Sequence, residues 1–221
     1  MSGRFVELSH PIHDGLVTYP GLPAPVIRVH TSRADSAAAL GSGESFEIAA
    51  IDMVANTGTY LDSPAHYVAG GADLSHLPLS GLVDLPGIVI RAAGHVAIEP
   101  FLVAGYSLLG KAVLFDTGWS AKFGTPAYAG ADAPYLTAGT VRALLDHGAA
   151  LVGIDSVNID NRSDPARPAH AALLRAGIPI VEHLASLAAL PATGFLFSAA
   201  PPMIAGMATF PVRAYAKLDR A

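Results

Sequence analysis

The sequence predicts a single α/β domain in which a central mixed β-sheet or barrel-like β core is flanked by helices. Three observations carry this. Short apolar runs, Lys111-Ala112-Val113-Leu114-Phe115, Leu151-Val152-Gly153-Ile154 and Ile178-Pro179-Ile180-Val181, read as buried strands. The clearest helical spacing, Val141, Leu144 and Leu145 between an N-capping Thr137 and a terminating Gly148, lies directly ahead of one of them. Helix followed by strand is the order of an α/β layer. Finally, 221 residues suit one domain with a sizeable core, and neither an internal repeat nor a linker divides 1–221.

The composition narrows the partners. Hydrophobic residues make up 52% and charged residues 14%, which leaves few charges to cover a monomer, so a homo-oligomer, dimer or tetramer, is expected. No run reaches the roughly 18 apolar residues of a membrane helix, and Met1-Ser2-Gly3-Arg4-Phe5-Val6-Glu7 lacks the apolar core of a signal peptide. A net charge of -5 with scattered Lys and Arg argues against nucleic acid. The absence of cysteine excludes disulfides, thiolate metal sites and a cysteine nucleophile, and fits a cytoplasmic protein.

In chain order, 4–8 and 25–30 read as strands, joined by a rigid loop holding Ser9-His10-Pro11 and Tyr19-Pro20-Gly21. Residues 33–44, small and polar, read as a flexible excursion or flap. Phe46 to Met53 is a strand. Asp73 can cap a helical turn, with His76 exposed. Ile88 to Arg91 is a strand and 95–109 a short helix. Asp116-Thr117-Gly118-Trp119 is a strand-end turn of the kind that builds sites in α/β folds. The strand 151–154 delivers Asp155, and 159–167 reads as a charged, exposed loop. Pro168 opens a helix closed by Gly177. Glu182 ends the next strand, 183–190 reads as a short helix, and 194–200 and 209–216 are the last strands.

The densest cluster of chemistry is Asn56-Thr57-Gly58-Thr59-Tyr60-Leu61-Asp62-Ser63-Pro64-Ala65-His66. A polar knot after a buried strand is where an α/β protein places chemistry. The stretch resembles the signature His-x-Gly-Thr-His-x-Asp-x-Pro-x-His of the metal-dependent cyclase/hydrolase family that includes bacterial kynurenine formamidase. Gly58, Thr59, Asp62, Pro64 and His66 match it, whereas Asn56 and Tyr60 replace the two leading histidines. Pro168-Ala169-His170-Ala171-Ala172-Leu173-Leu174 and Ile178-Pro179-Ile180-Val181-Glu182 match two further family elements, so the resemblance runs from about residue 5 to about residue 216.

The resemblance implies a hydrolase or cyclase acting on a small carbonyl compound, an amide, lactone or related acyl group, by water attack. It implies Asp62, His170 and Glu182 as metal ligands and His66 as general base or fourth ligand. It places His10, Tyr19, Asn56 and Trp119 along the substrate pocket, although Trp119 serves equally as a hydrophobic plug. The family's second metal rests on the two leading histidines. An amide and a phenol of pKa about 10 are poor substitutes, so at most one divalent ion, Zn²⁺ or Mn²⁺, is expected. The residues also support a metal-free alternative. Asp62 would orient His66 as the base, and Tyr60 would hydrogen-bond a developing oxyanion. A small-molecule binder without turnover, or an oligomeric structural protein that keeps only the fold, are the remaining readings.

Overall fold

The computed structural model describes residues 4–218. Its strands are β1 (Arg4–Glu7), β2 (Val26–Thr31), β3 (Ile48–Asp52), β4 (Tyr60–Asp62), β5 (Leu85–Arg91), β6 (Ala97–Ile98), β7 (Ala112–Asp116), β8 (Tyr135–Leu136), β9 (Leu151–Ile154), β10 (Ile180–Glu182), β11 (Phe195–Ser198), β12 (Thr209–Pro211) and β13 (Tyr215–Leu218). Its helices are α1 (Arg33–Leu40), α2 (Ala138–Asp146) and α3 (Pro168–Arg175).

A nine-stranded sheet runs in the order β1-β13-β11-β5-β7-β9-β10-β4-β12. The strands β5, β7, β9 and β10 pair in parallel, as the near-continuous apolar runs require, and the flanks are antiparallel. Alternation along each strand sorts two cores. Val113, Phe115, Val152, Ile154 and Ile180 face α2 and α3. Leu114, Leu151, Val181, Leu61 and Phe197 fill the opposite face.

The sheet must curl. Residues 212–214 alone separate β12, at one edge, from β13, next to the other edge. Laid flat, those strands would stand about 34 Å apart at about 4.8 Å per strand. The connection spans at most about 14 Å. The sheet therefore bends into a half-barrel, with Val212 N–H bonded to Thr59 O and Leu8 N–H to Ala214 O. The expected mixed, barrel-like β core with flanking helices is what the chain forms.

The strands β2 and β3 form a separate two-stranded ribbon. With α1 between them they make an arm that exposes Val26, Ile27, Val29, Leu40, Phe46, Ile48 and Ile51.

Several local expectations need correction. Residues 33–40 are a helix, not a flexible excursion. Ser32 caps it by accepting from Asp35 N–H, and Gly41 ends it in the left-handed region. Residues 95–109 form no α-helix, only β6 and a 3-10 turn at Pro100–Leu102. The 183–190 segment holds only a 3-10 turn at Leu187–Ala189, because His183 and Ser186 take left-handed φ angles of 57° and 55°. The loop 159–167 is not exposed throughout, since Ile159 and Asp160 are buried. The predicted 209–216 strand breaks into β12 and β13.

Candidate active site

The site follows from one strand register. In the antiparallel pair of β4 and β10, Tyr60 lies opposite Glu182 and Asp62 opposite Ile180. Residues two apart on a strand share a face, so Tyr60, Asp62 and Glu182 point the same way. Leu61 and Val181 point into the other core. The shared face is the one that α3 covers, and α3 carries His170. The Nε2 atom of His170 lies 3.5 Å from Asp62 Oδ2 and 3.6 Å from Glu182 Oε1. A 3-10 turn at Pro64–His66 follows β4 directly. It brings His66 Nε2 to 3.9 Å from Asp62 Oδ1. Entry to β4 depends on Gly58, whose φ is 65° and whose Cβ, if it had one, would meet Ile12 Cγ1 at 2.9 Å. The four residues expected at the chemical centre are thus brought together.

A fifth was not foreseen. Asp160 is buried and receives three hydrogen bonds. Its Oδ1 accepts Ala169 N–H at 2.7 Å, and its Oδ2 accepts His170 N–H at 3.0 Å and pairs with His170 Nδ1 at 2.7 Å. Asp160 caps the first turn of α3 from outside the helix and directs Nε2 of His170 at Asp62 and Glu182. Glu182 is fixed at both oxygens: Oε1 accepts Ile159 N–H and Oε2 the Tyr60 hydroxyl, each at 2.6 Å.

The electrostatics follow from burial. Burial opposes a charge on His170, but Glu182, Asp160 and Asp62 outweigh it and lift the imidazole to about 10. Burial pushes Glu182 up to about 7, with His170 opposing. Burial and the neighbouring carboxylates Glu182 and Asp62 drive the Tyr60 phenol well above its ordinary value, so it remains protonated. Burial lowers His66 despite Asp62, leaving it neutral near pH 7 and able to take a proton.

These groups open into a cleft of about 440 Å³ walled by Tyr19, Leu22, Asn56, Tyr67, Asn158 and Arg167. Tyr19 and Asn56 therefore stand where a substrate would lie, and Asn56 Oδ1 accepts the Thr209 hydroxyl at 2.9 Å. Two other expected pocket residues lie elsewhere. Trp119 is buried against Tyr128 and Val157, with its indole N–H bonded to Tyr128 O, as a plug would be. His10 stacks on Phe123 at 3.7 Å and borders a different groove. Tyr67, Asn158 and Arg167 joined the wall without any sequence signal.

The family model for Cyclase matches residues 6–161. The chain belongs to the Cyclase family. Kynurenine formamidase of Paracidovorax citrulli is 29% identical over 221 residues, covering 94% of each chain. A solved structure described as a "Potential Metal-Dependent Hydrolase With Cyclase Activity" is 26% identical, covers 100% of both chains and superposes with a TM-score of 0.80. Isatin hydrolase A of Labrenzia aggregata, with benzyl benzoate bound, covers 98% of this chain and 94% of its own at 24% identity and a TM-score of 0.81, which shows the shared fold. This Cyclase-family chain is an enzyme of the hydrolase class.

The donors fit one divalent ion of the kind a metal-dependent Cyclase-family enzyme holds. Both carboxylate oxygens of Asp62 are buried and have no hydrogen-bond partner, a costly arrangement unless a cation meets them. Asp62, His66 and His170 each offer a ligand atom, all within 4.8 Å of one another. Donors at about 2.1 Å in tetrahedral geometry lie about 3.4 Å apart, close to the 3.5 and 3.6 Å that separate His170 Nε2 from Asp62 and from Glu182; Glu182 stands outside the compact set of Asp62, His66 and His170. The position that the family signature gives to its leading histidines does not fit a second ion. Tyr60 spends its proton on Glu182 and Asn56 is engaged by Thr209.

Proposed function

We propose that the protein hydrolyses a small acyl compound, an amide, lactone or related species, with one divalent ion held by Asp62, His170 and Glu182. The unpartnered carboxylate of Asp62, buried beside His170 Nε2, is the observation that carries this reading. A bound Zn²⁺ or Mn²⁺ would polarise the acyl oxygen and acidify water. The remaining work falls to the protein. His66, neutral and half-exposed at the cleft, takes the proton of the attacking water at Nε2 and returns it to the leaving group. Asp62 Oδ1, 3.9 Å from that Nε2, favours the imidazolium once the proton has been taken. Asp160 keeps Nδ1 of His170 bonded, so that Nε2 faces inward. Tyr60 holds Glu182 in place, and the walls around Tyr19 and Tyr67 exclude water and position the substrate.

A metal-free mechanism has one observation in its favour. A protonated His170, facing Asp160, Asp62 and Glu182, partly neutralises the cluster without an ion. Metal analysis of protein purified without chelator separates the two. The expected result is at most one ion per subunit, lost in His170→Ala and kept in Tyr60→Phe. Two ions per subunit, or loss of metal in Tyr60→Phe, would refute the single-site reading, and activity without metal would establish the alternative.

The arm of β2, α1 and β3 supports a homo-oligomer. An isolated two-stranded ribbon is marginal in water, and this one shows apolar residues on both faces. A second copy of the chain supplies the missing partner surface, in keeping with the low charge content.

A further inference from the structure

Arg167 is the one wall residue whose charge the site does not use. Its guanidinium is held at two points, Nη1 donating to Asn158 Oδ1 at 3.1 Å and Nη2 to Arg162 O at 3.2 Å. Two bonds leave three of the five guanidinium N–H donors free. Among the described residues, no carboxylate lies within 4.0 Å of it. Asp62, Glu182 and Asp160 are engaged instead with His170.

The backbone holds Arg167 in place at a cost. Its φ of 43° is left-handed, a region that side-chain-bearing residues avoid and that persists where surrounding contacts over-determine it. Those contacts are visible. Asn158 Oδ1, which receives the guanidinium, also accepts Asp160 N–H at 3.0 Å, so the loop that aims His170 also anchors Arg167. Pro168 begins α3 immediately afterwards. A half-buried, unpaired, pre-positioned guanidinium on a cleft wall is a receptor for a planar oxyanion. Beside it the Tyr67 ring stacks on His170 at 4.9 Å, and Tyr19 and Leu22 continue an apolar wall suited to a flat ring.

We propose that Arg167 is the anion-recognising residue of the cleft, selecting aryl acyl substrates that bear a carboxylate away from the scissile bond. This rests on the reading of the cleft as a hydrolase site. The reaction to be followed is hydrolysis of an aryl formamide: water adds to the formyl carbon, the C–N bond breaks, and formate and the arylamine leave, the amine nitrogen gaining the proton.

The test compares formanilide with the 2-, 3- and 4-formamidobenzoates in wild type, Arg167→Gln and Arg167→Lys. In the wild type at least one carboxylate isomer should exceed formanilide in kcat/KM by about tenfold to a hundredfold, the worth of a charge-assisted bidentate contact. In Arg167→Gln the ratio of kcat/KM between that isomer and formanilide should fall to about one, chiefly through KM. Arg167→Lys, which keeps the charge but loses the fork, should retain only part of it. Calorimetric binding of the unreactive acetamidobenzoates against acetanilide gives a readout that needs no turnover. Binding that depends on Arg167 without hydrolysis of any formamide upholds Arg167 and removes the aryl-formamide reading. Hydrolysis whose carboxylate advantage survives intact in Arg167→Gln does the reverse. Equal losses for charged and neutral probes overturn the proposal by reducing Arg167 to a structural anchor.

Discussion

Removing Asp160 should damage folding and metal binding together. The carboxylate satisfies two N–H groups at the start of α3 and one imidazole N–H, all buried. Loss of the helix cap costs about 1–2 kcal/mol, and an orphaned imidazole N–H about 1–3 kcal/mol. Asp160→Ala should thus lose about 2–5 kcal/mol in urea unfolding, a large share of a typical domain's stability. Asp160→Asn should fare little better, because its amide NH₂ replaces an acceptor and faces a donor. The same change releases the ring of His170. Metal affinity should fall about 10–100-fold, as when the outer partner of a ligand histidine is lost. The assay is paired: urea melts of each variant, and competition of Zn²⁺ against a chromogenic chelator. A variant that loses under about 1 kcal/mol and binds metal as the wild type does would refute the assigned role of Asp160.

Other outcomes follow from single observations. Asp155 is buried with Oδ2 unpartnered and its pKa is raised to about 6, mainly by burial. The folded state therefore holds a proton that the unfolded chain gives up near pH 4. Stability should fall as pH rises from about 4 to about 6, by about 3 kcal/mol from this group. Asp155→Asn should abolish that decline relative to the wild type, and parallel pH–stability curves would contradict it. Gly58→Ala should cost about 1–3 kcal/mol, from its φ of 65° and the contact with Ile12, read as a lower denaturation midpoint. Val29→Asp with Ile51→Asp should turn the oligomer into monomer by light scattering without changing far-ultraviolet dichroism. A wild type that is already monomeric at micromolar concentration would dispose of the arm as an interface.

The sequence made the central strands and the chemical centre legible for different reasons. Val113, Leu114 and Phe115 are apolar on both faces because β7 lies between two cores. Asp62 and His66 stand out within a dense polar stretch, but their link to His170 and Glu182 came only through resemblance, since nothing local tells residue 62 that residue 182 lies beside it. Asp160 and Arg167 escaped because they sit in a polar turn-rich loop, where an Asp or Arg is ordinarily solvated. Only tertiary closure buries the first and aims the second. The helix α1 was legible and overlooked. Ser32 followed by Asp35 is a capping pair, but a run of alanines on an exposed arm shows no apolar face by which to notice it. The 95–109 and 183–190 segments failed the other way, through helical-looking composition over backbone that left-handed residues and 3-10 turns interrupt.

The placement of β4 has a consequence for how the enzyme comes to exist. Among the described residues the strand pairs with β10 and β12 alone, and the hydrogen bonds from Tyr60 to Glu182 and, just ahead of the strand, from Thr209 to Asn56 span 122 and 153 residues. Loops of that length close late, because their entropy must be lost before any contact rewards it. During synthesis Asp62 emerges long before its neighbours and stays hydrated until the last strands leave the ribosome. The carboxylate cluster is therefore among the final parts to be desolvated. Metal supplied during refolding should accelerate that closing step, and a chain truncated before β12 should be left with an open β4 edge prone to pairing with other chains.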